Sequence, residues 1–220
     1  MSKIAVVGAT GPTGQLVVTE ALARGHEVIA YVRRPEALEA RSGLTVMAGE
    51  LNQSDRFAKA LQGCDVVIST LGSRSFTERA FMQVHLPMVT SAMREANVTR
   101  LVLMSAMGGG EVPRQLHGID RIIFSALSRL AFGDRTKSEA ALSRTGLVWS
   151  AVYPAFLTDK AALDTIDVID VDDLVRTRNS SIPRANVARV LVDLAESSTP
   201  RKVVVAPVGK LVGVNSQESS

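Results

Sequence analysis

Short apolar runs alternate with amphipathic stretches along most of this chain. The runs Ile4–Val7, Glu27–Val32, Leu44–Ala48, Val66–Thr70, Leu101–Met104, Val148–Val152 and Val203–Ala206 have strand length and are rich in β-branched residues. Near-continuous apolar runs such as Val66-Val67-Ile68 fit strands covered on both faces. Between them, helical spacing of apolar positions predicts helices at Thr13–Arg24, Ser54–Gln62, Thr77–Ala96, within a stretch between Pro113 and Arg144, and at Arg184–Ser197. Ser54-Asp55 opens the second of these, and Gly25 and Gly63 follow the first two as terminators. Such alternation predicts βαβ units. The expected fold is α/β, a doubly wound and mainly parallel sheet with helices on both faces. A single domain is expected over residues 1–212, with a polar, serine-rich tail at 213–220 that stays disordered. One segment has two readings. After the glycine-rich loop Gly108–Pro113, the apolar piece Ile119–Gly133 is either a core-facing helix or a wall over a substrate pocket that touches a membrane surface.

The junction of the first strand and first helix carries the strongest chemical signal. Gly8-Ala-Thr-Gly-Pro-Thr-Gly14 follows Ile4–Val7 directly and leads into the amphipathic stretch Gln15–Arg24. Glycines in such a turn let the backbone approach a pyrophosphate, and the following helix offers its N-terminus to the anion. The spacing is GxxGxxG rather than GxGxxG, but the context of first strand, turn and helix is that of a dinucleotide site. Gly8, Thr10, Gly11, Pro12, Thr13 and Gly14 are therefore cofactor-binding candidates.

Composition narrows the classes. Of 220 residues, 46% are hydrophobic, enough for a globular core, and the formal net charge is only +3. The basic residues are scattered, so a nucleic-acid-binding face is not expected, whereas a cationic pocket for phosphates is. The one cysteine, Cys64, forbids an internal disulfide and reads as a small buried residue in a reducing compartment. The opening apolar run is too short for a signal peptide, and no run approaches the roughly 20 residues that span a bilayer. A cytoplasmic monomer is expected. His26, His85 and His117 show no metal-ligand spacing; His26 belongs in the turn before the second strand, and His117 is a candidate to approach the site from the loop after the fifth.

The end of the second strand decides between the two nicotinamide dinucleotides. A carboxylate there, about 20 residues past the glycines, would accept the ribose 2′-hydroxyl. This chain instead continues Val32-Arg33-Arg34-Pro35. Guanidinium groups bind a 2′-phosphate that a carboxylate would repel. Arg33 and Arg34 therefore point to NADP(H). Ligands in open parallel sheets lie beyond the carboxyl ends of the strands. Glu50 and Leu51 after the third strand, and Leu71, Gly72 and Arg74 after the fourth, are candidates to line the same crevice.

Gly8-Ala-Thr-Gly-Pro-Thr-Gly14, Val32-Arg33, Gly49-Glu-Leu51, Leu71-Gly-Ser-Arg74, Leu103-Met-Ser-Ala106 and Thr145-Gly-Leu147 occur in the order of the atypical short-chain dehydrogenase/reductase superfamily. The chain resembles its small NAD(P)H-binding members, the biliverdin reductase B/flavin reductase-like group and the related NmrA-like group, over roughly residues 1 to 208. The resemblance implies a Rossmann-type domain with NADPH across the carboxyl edge of the sheet, and hydride transfer to a flavin or a linear tetrapyrrole. It also implies a serine near the nicotinamide after the fifth strand, matched here by Ser105, the catalytic candidate. In related proteins a lysine on the helix before the sixth strand approaches the nicotinamide ribose. Arg135 and Lys137 compete for that place, and Lys137 and Glu139 otherwise read as a solvated face. The chain departs from the biliverdin reductase B pattern after the sixth strand, where Tyr153-Pro-Ala-Phe-Leu157 has no histidine.

The tyrosine–lysine acid of many short-chain dehydrogenases is absent. Tyr31 and Tyr153 are followed four residues on by Pro35 and Leu157. Flavin reduction needs no such acid, because the cofactor holds the hydride and the protein supplies proximity and orientation. Tyr153 and Pro154, closing the sixth strand, are expected at the pocket edge. Phe76, Phe81, Met107 and Phe156 are candidates for a flat apolar cleft suited to a flavin or bilin. Two rivals stay open: an NmrA-like redox sensor that binds the dinucleotide without turnover, and a reductase or isomerase of another small carbonyl compound.

Overall fold

The structure is a computed structural model that describes residues 1–72, 80–107, 133–178 and 180–213. Strands β1 (Lys3–Val7), β2 (Glu27–Val32), β3 (Leu44–Ala48), β4 (Val66–Ser69), β5 (Arg100–Met104), β6 (Val148–Pro154), β8 (Ile166–Asp170) and β11 (Lys202–Pro207) form one sheet. Its order is β3-β2-β1-β4-β5-β6-β11-β8, parallel except for the antiparallel β8 at one edge. Around it run helices α1 (Pro12–Ala23), α2 (Ser54–Leu61), α3 (Phe81–Glu95), α4 (Gly133–Leu142) and α5 (Arg184–Glu196). Helices α1 and α5 pack together on one face; α2, α3 and α4 pack in succession on the other. The chain is thus a single-domain, doubly wound Rossmann-type fold.

The central strands are buried on both faces, with Val66, Val67 and Ile68 fully enclosed. That explains why they read as continuous apolar runs rather than alternating ones. Gly25 and Gly63 take positive φ just past α1 and α2, as terminators do. Helix α3 includes Pro87, and its first turn is capped from another element: the Asp134 carboxylate in α4 accepts the N–H groups of Met82 (2.6 Å) and Gln83 (2.9 Å).

Several elements are absent from the expected pattern. Strand β8 and the small pairs β7 (Phe156–Thr158) with β10 (Ser181–Pro183) and β9 (Leu174–Thr177) with β12 (Leu211–Gly213) are too short or too polar to read as strands. Gly213 pairs with Leu174, so strand structure reaches one residue beyond the expected limit at 212. Arg74, Phe76, His117, the loop at 108–113, the apolar segment at 119–132 and the tail at 214–220 lie outside the described residues. Among the described residues, no helix is long and apolar enough to cross a membrane.

Candidate functional site

Strand order reverses between β1 and β4, and a doubly wound sheet opens a crevice at that point. Parallel register puts the strand ends level: Val7 lies opposite Tyr31 on one side and Ser69 on the other, and Val32 lies opposite Ala48. Gly8, Arg33, Gly49 and Thr70 therefore leave the sheet along a single edge.

The glycine loop is shaped by contacts that exclude a side chain. Gly8 has φ +86°, and a Cβ there would come 2.8 Å from Thr70 Oγ1. That hydroxyl donates to the Val7 and Gly8 carbonyls, both at 3.2 Å. A Cβ on Gly14 would lie 2.1 Å from the Gly8 carbonyl oxygen. The Gly11 N–H donates back to Gly8 O at 2.9 Å, and α1 starts at once with Pro12 in its first turn. Thr13 and Gly14 are buried in that turn, while Pro12 is exposed. First-turn N–H groups have no acceptor within the helix, and the helix dipole is positive here. The cradle fits a phosphate.

Two adjoining clefts of about 240 and 540 Å³ open on this edge, and both are lined by Gly8, Thr10, Arg33, Leu71, Phe81 and His85. Glu50 and Leu51 line the smaller one; Gly11, Arg34 and Gly72 line the larger. Arg33 and Arg34 are exposed, and among the described residues neither forms an ion pair. Tyr31 forms the floor. It stacks on Phe57 with centroids 4.6 Å apart and donates its hydroxyl to the Glu50 carbonyl at 3.0 Å. Burial pushes the Tyr31 phenol up, Glu50 adds to this, and Arg56 opposes it. The clefts thus gather nine of the cofactor-binding candidates, with Phe81 of the apolar candidates.

Ser105, Tyr153 and Pro154 belong to a second cluster at the ends of β5 and β6. The Ser105 hydroxyl donates to one oxygen of Glu139 at 2.5 Å, and the Tyr153 hydroxyl donates to the other at 2.6 Å. Ser105 and Glu139 are 3% exposed and Tyr153 is wholly enclosed. Pro154 is buried as well. Glu139 therefore does not lie on a solvated face. Arg135 and Glu139, four residues apart on α4, share its inward side, whereas Lys137 points outward and is exposed. Arg135 donates to the Met104 carbonyl at 3.2 Å, and its guanidinium lies 3.2 Å from where a Gly72 Cβ would stand, so it reaches from the second cluster to the cleft wall. Burial pulls its pKa below the usual arginine range, and the charges of Glu139 and Asp134 oppose that shift.

The aromatic and Met candidates do not share one wall. Phe81 stacks on His85 beside the glycine loop. Met107 donates its N–H to the Pro154 carbonyl and accepts a hydrogen bond from Thr177 at sulfur, and Phe156 is 62% exposed in β7. His26 directly precedes β2 and Cys64 is buried, both as expected. His85, Glu139 and the Tyr31–Glu50 contact went unnoticed in the sequence as site features. The i, i+4 pair Arg135/Glu139 was the available signal for Glu139. No local signal marks His85, which reaches the cleft through the packing of α3.

A family model described as NAD(P)H-binding matches residues 8–198. The chain belongs to that family. It is 31% identical over 117 residues to isoflavone reductase homolog P3 of Arabidopsis thaliana, a match that covers 49% of this chain and only 36% of that protein. It is 25% identical over 215 residues, 90% of this chain and 96% of the other, to the uncharacterized sugar epimerase YhfK of Bacillus subtilis. The solved structures that share the fold include three of note. The oxidoreductase ylbE of Lactococcus lactis has TM-score 0.77 and 22% identity, covering 99% of this chain and 95% of that one. A short-chain dehydrogenase/reductase of Veillonella parvula in complex with NADP has TM-score 0.75 and 15% identity, covering 96% and 97%. ChuY, an anaerobillin reductase of Escherichia coli O157:H7, has TM-score 0.71 and 21% identity, covering 94% and 98%. At these identities the structural likenesses carry the fold alone.

Proposed function

We propose that this protein is an NADPH-dependent reductase that delivers hydride to a flavin or a linear tetrapyrrole. The observation that carries the reading is the pair of exposed guanidinium groups, Arg33 and Arg34, without an ion pair among the described residues, where β2 opens into the glycine-lined cleft. In this reading Gly8–Gly14 and the α1 N-terminus hold the pyrophosphate, and Arg33 and Arg34 hold the 2′-phosphate with charge-assisted hydrogen bonds. Glu50, Leu51, Leu71 and Gly72 complete the walls. The bound dinucleotide supplies the hydride, and this chain's residues orient it and exclude water. Ser105 and Tyr153 stand at the far end of the same edge. Both hydroxyls are donated to Glu139, and in this reading the protons of the reaction come from solvent.

That same arrangement favours one second reading, a dinucleotide-binding redox sensor without turnover. Purified protein with NADPH and FMN, and separately with biliverdin, separates the two. Loss of NADPH absorbance in either mixture is the expected result. Tight NADPH binding with no turnover on flavins or bilins overturns the enzyme and leaves the sensor.

A further inference from the structure

His85 lines both clefts together with Arg33, yet nothing in the glycine loop or the β2 end calls for a histidine there. Two contacts fix its ring. It stacks on Phe81 with centroids 4.2 Å apart and planes 25° apart, and its Nδ1 lies 2.8 Å from the Phe81 carbonyl oxygen. A carbonyl only accepts, so Nδ1 carries the proton in the neutral ring. Nε2 is then the nitrogen whose state changes: a lone pair when the ring is neutral, an N–H donor when it is charged. Among the described residues no other partner holds this side chain.

Charged groups stand on every element around it. Arg33 and Arg34 close β2, Glu50 follows β3, and Asp134 and Arg135 open α4. On α2, Asp55, Arg56 and Lys59 are exposed to solvent. Arg33 and Arg34 share the larger cleft with His85 and Glu50 shares the smaller one, so an anion that enters beside the arginines also meets the imidazole.

We propose that His85 is a titratable anion contact of this cleft, which binds a phosphate of the dinucleotide in its imidazolium form, so that cofactor affinity rises as pH falls and binding takes up a proton at His85. This rests on the reading of the cleft as the NADPH site and names a contact beyond its arginines.

Dissociation constants for NADPH and NADH, measured for wild type, His85→Gln and His85→Lys between about pH 6 and about pH 8.5, test it. The 2′-phosphate itself takes up a proton near pH 6, so the effect is read as the difference between variants. Wild type is expected to tighten relative to His85→Gln by roughly ten-fold toward acid pH, the scale of one charge-assisted hydrogen bond, and the two converge at alkaline pH. His85→Lys is expected to keep the tight binding without the His85-dependent slope. A difference seen with NADPH alone assigns the contact to the 2′-phosphate, and one seen with both dinucleotides assigns it to the pyrophosphate; either supports the proposal. Identical slopes in wild type and His85→Gln, with convergence at alkaline pH showing that the variant is folded, overturn it. The NADPH-to-NADH ratio of wild type at alkaline pH, where the imidazole is neutral, reports on Arg33 and Arg34 separately. A ratio near one there contradicts the NADPH reading, whatever His85 does.

Discussion

At the scale of single residues, the site is legible where chemistry follows from backbone geometry. Gly14 stands where any Cβ would meet the Gly8 carbonyl oxygen at 2.1 Å, well inside contact distance and with no flexible partner to move. Gly14→Ala is expected to displace the loop and weaken dinucleotide binding by at least ten-fold, on the scale of one lost backbone hydrogen bond to a charged group. A titration of the folded variant checks this, and unchanged affinity contradicts the cradle. The glycines and Arg33 could be found in the sequence because both sit at a strand end, a place that an apolar run marks by stopping. Glu139 could not be found in that way. Its burial depends on α4 turning the Arg135/Glu139 side inward and on hydroxyls from two separate strands. Glu139→Ala would remove the acceptor that both hydroxyls share, at a cost of about 1–3 kcal/mol. Chemical denaturation should register that loss even if dinucleotide binding at the β1–β2 edge is unaltered.

At the scale of elements, the seven strands expected from apolar runs all form, with ends shifted by two residues or fewer. Their signal was strong because burial on both faces forces a continuous run. The antiparallel edge strand β8 and the two small pairs were illegible for the opposite reason. They are three to five residues long, and their pairing is set by distant partners rather than by local pattern. Helix α3 shows the same dependence on distant partners. Its own N-cap, Ala80, offers no side-chain acceptor, and Asp134 serves from α4 instead. Asp134→Ala is expected to cost about 1 kcal/mol, the usual loss for a helix cap, and to lower the Tm. Because α3 carries Phe81 and His85 to the cleft, the same variant should also weaken cofactor binding. An unchanged Tm contradicts the capping role.

At the scale of the whole molecule, the α1–α5 face is closed by a charged latch. Arg24 pairs with Glu20 (2.8 Å), Asp193 (2.6 Å) and Glu196 (2.9 Å), while His26 Nδ1 accepts the Ser2 N–H and its Nε2 lies 2.8 Å from Glu196. Burial raises the Glu196 carboxyl, but hydrogen bonds from His26 and Arg24 outweigh it and hold the group below the usual carboxylate range. A carboxylate depressed in the folded state binds fewer protons folded than unfolded. Its contribution is therefore present above the unfolded value of about pH 4.3 and is lost as pH falls through the lower folded value. The Tm gap between wild type and Glu196→Gln should be open at neutral pH and narrow below about pH 4. A gap that is constant with pH contradicts the latch. The carboxylate is partly exposed, so the effect belongs to the small end of the range for ion pairs.

The proposal of an NADPH site read by Arg33 concerns the cleft at the carboxyl ends of β1 to β4. Its most direct test is equilibrium titration of wild type and Arg33→Ala with NADPH and with NADH at one pH and one salt concentration. NADPH is expected to bind wild type more tightly than NADH, and Arg33→Ala should raise the NADPH dissociation constant by roughly ten-fold or more while moving the NADH value much less. Equal losses for both dinucleotides, or no preference in wild type, would contradict the claim.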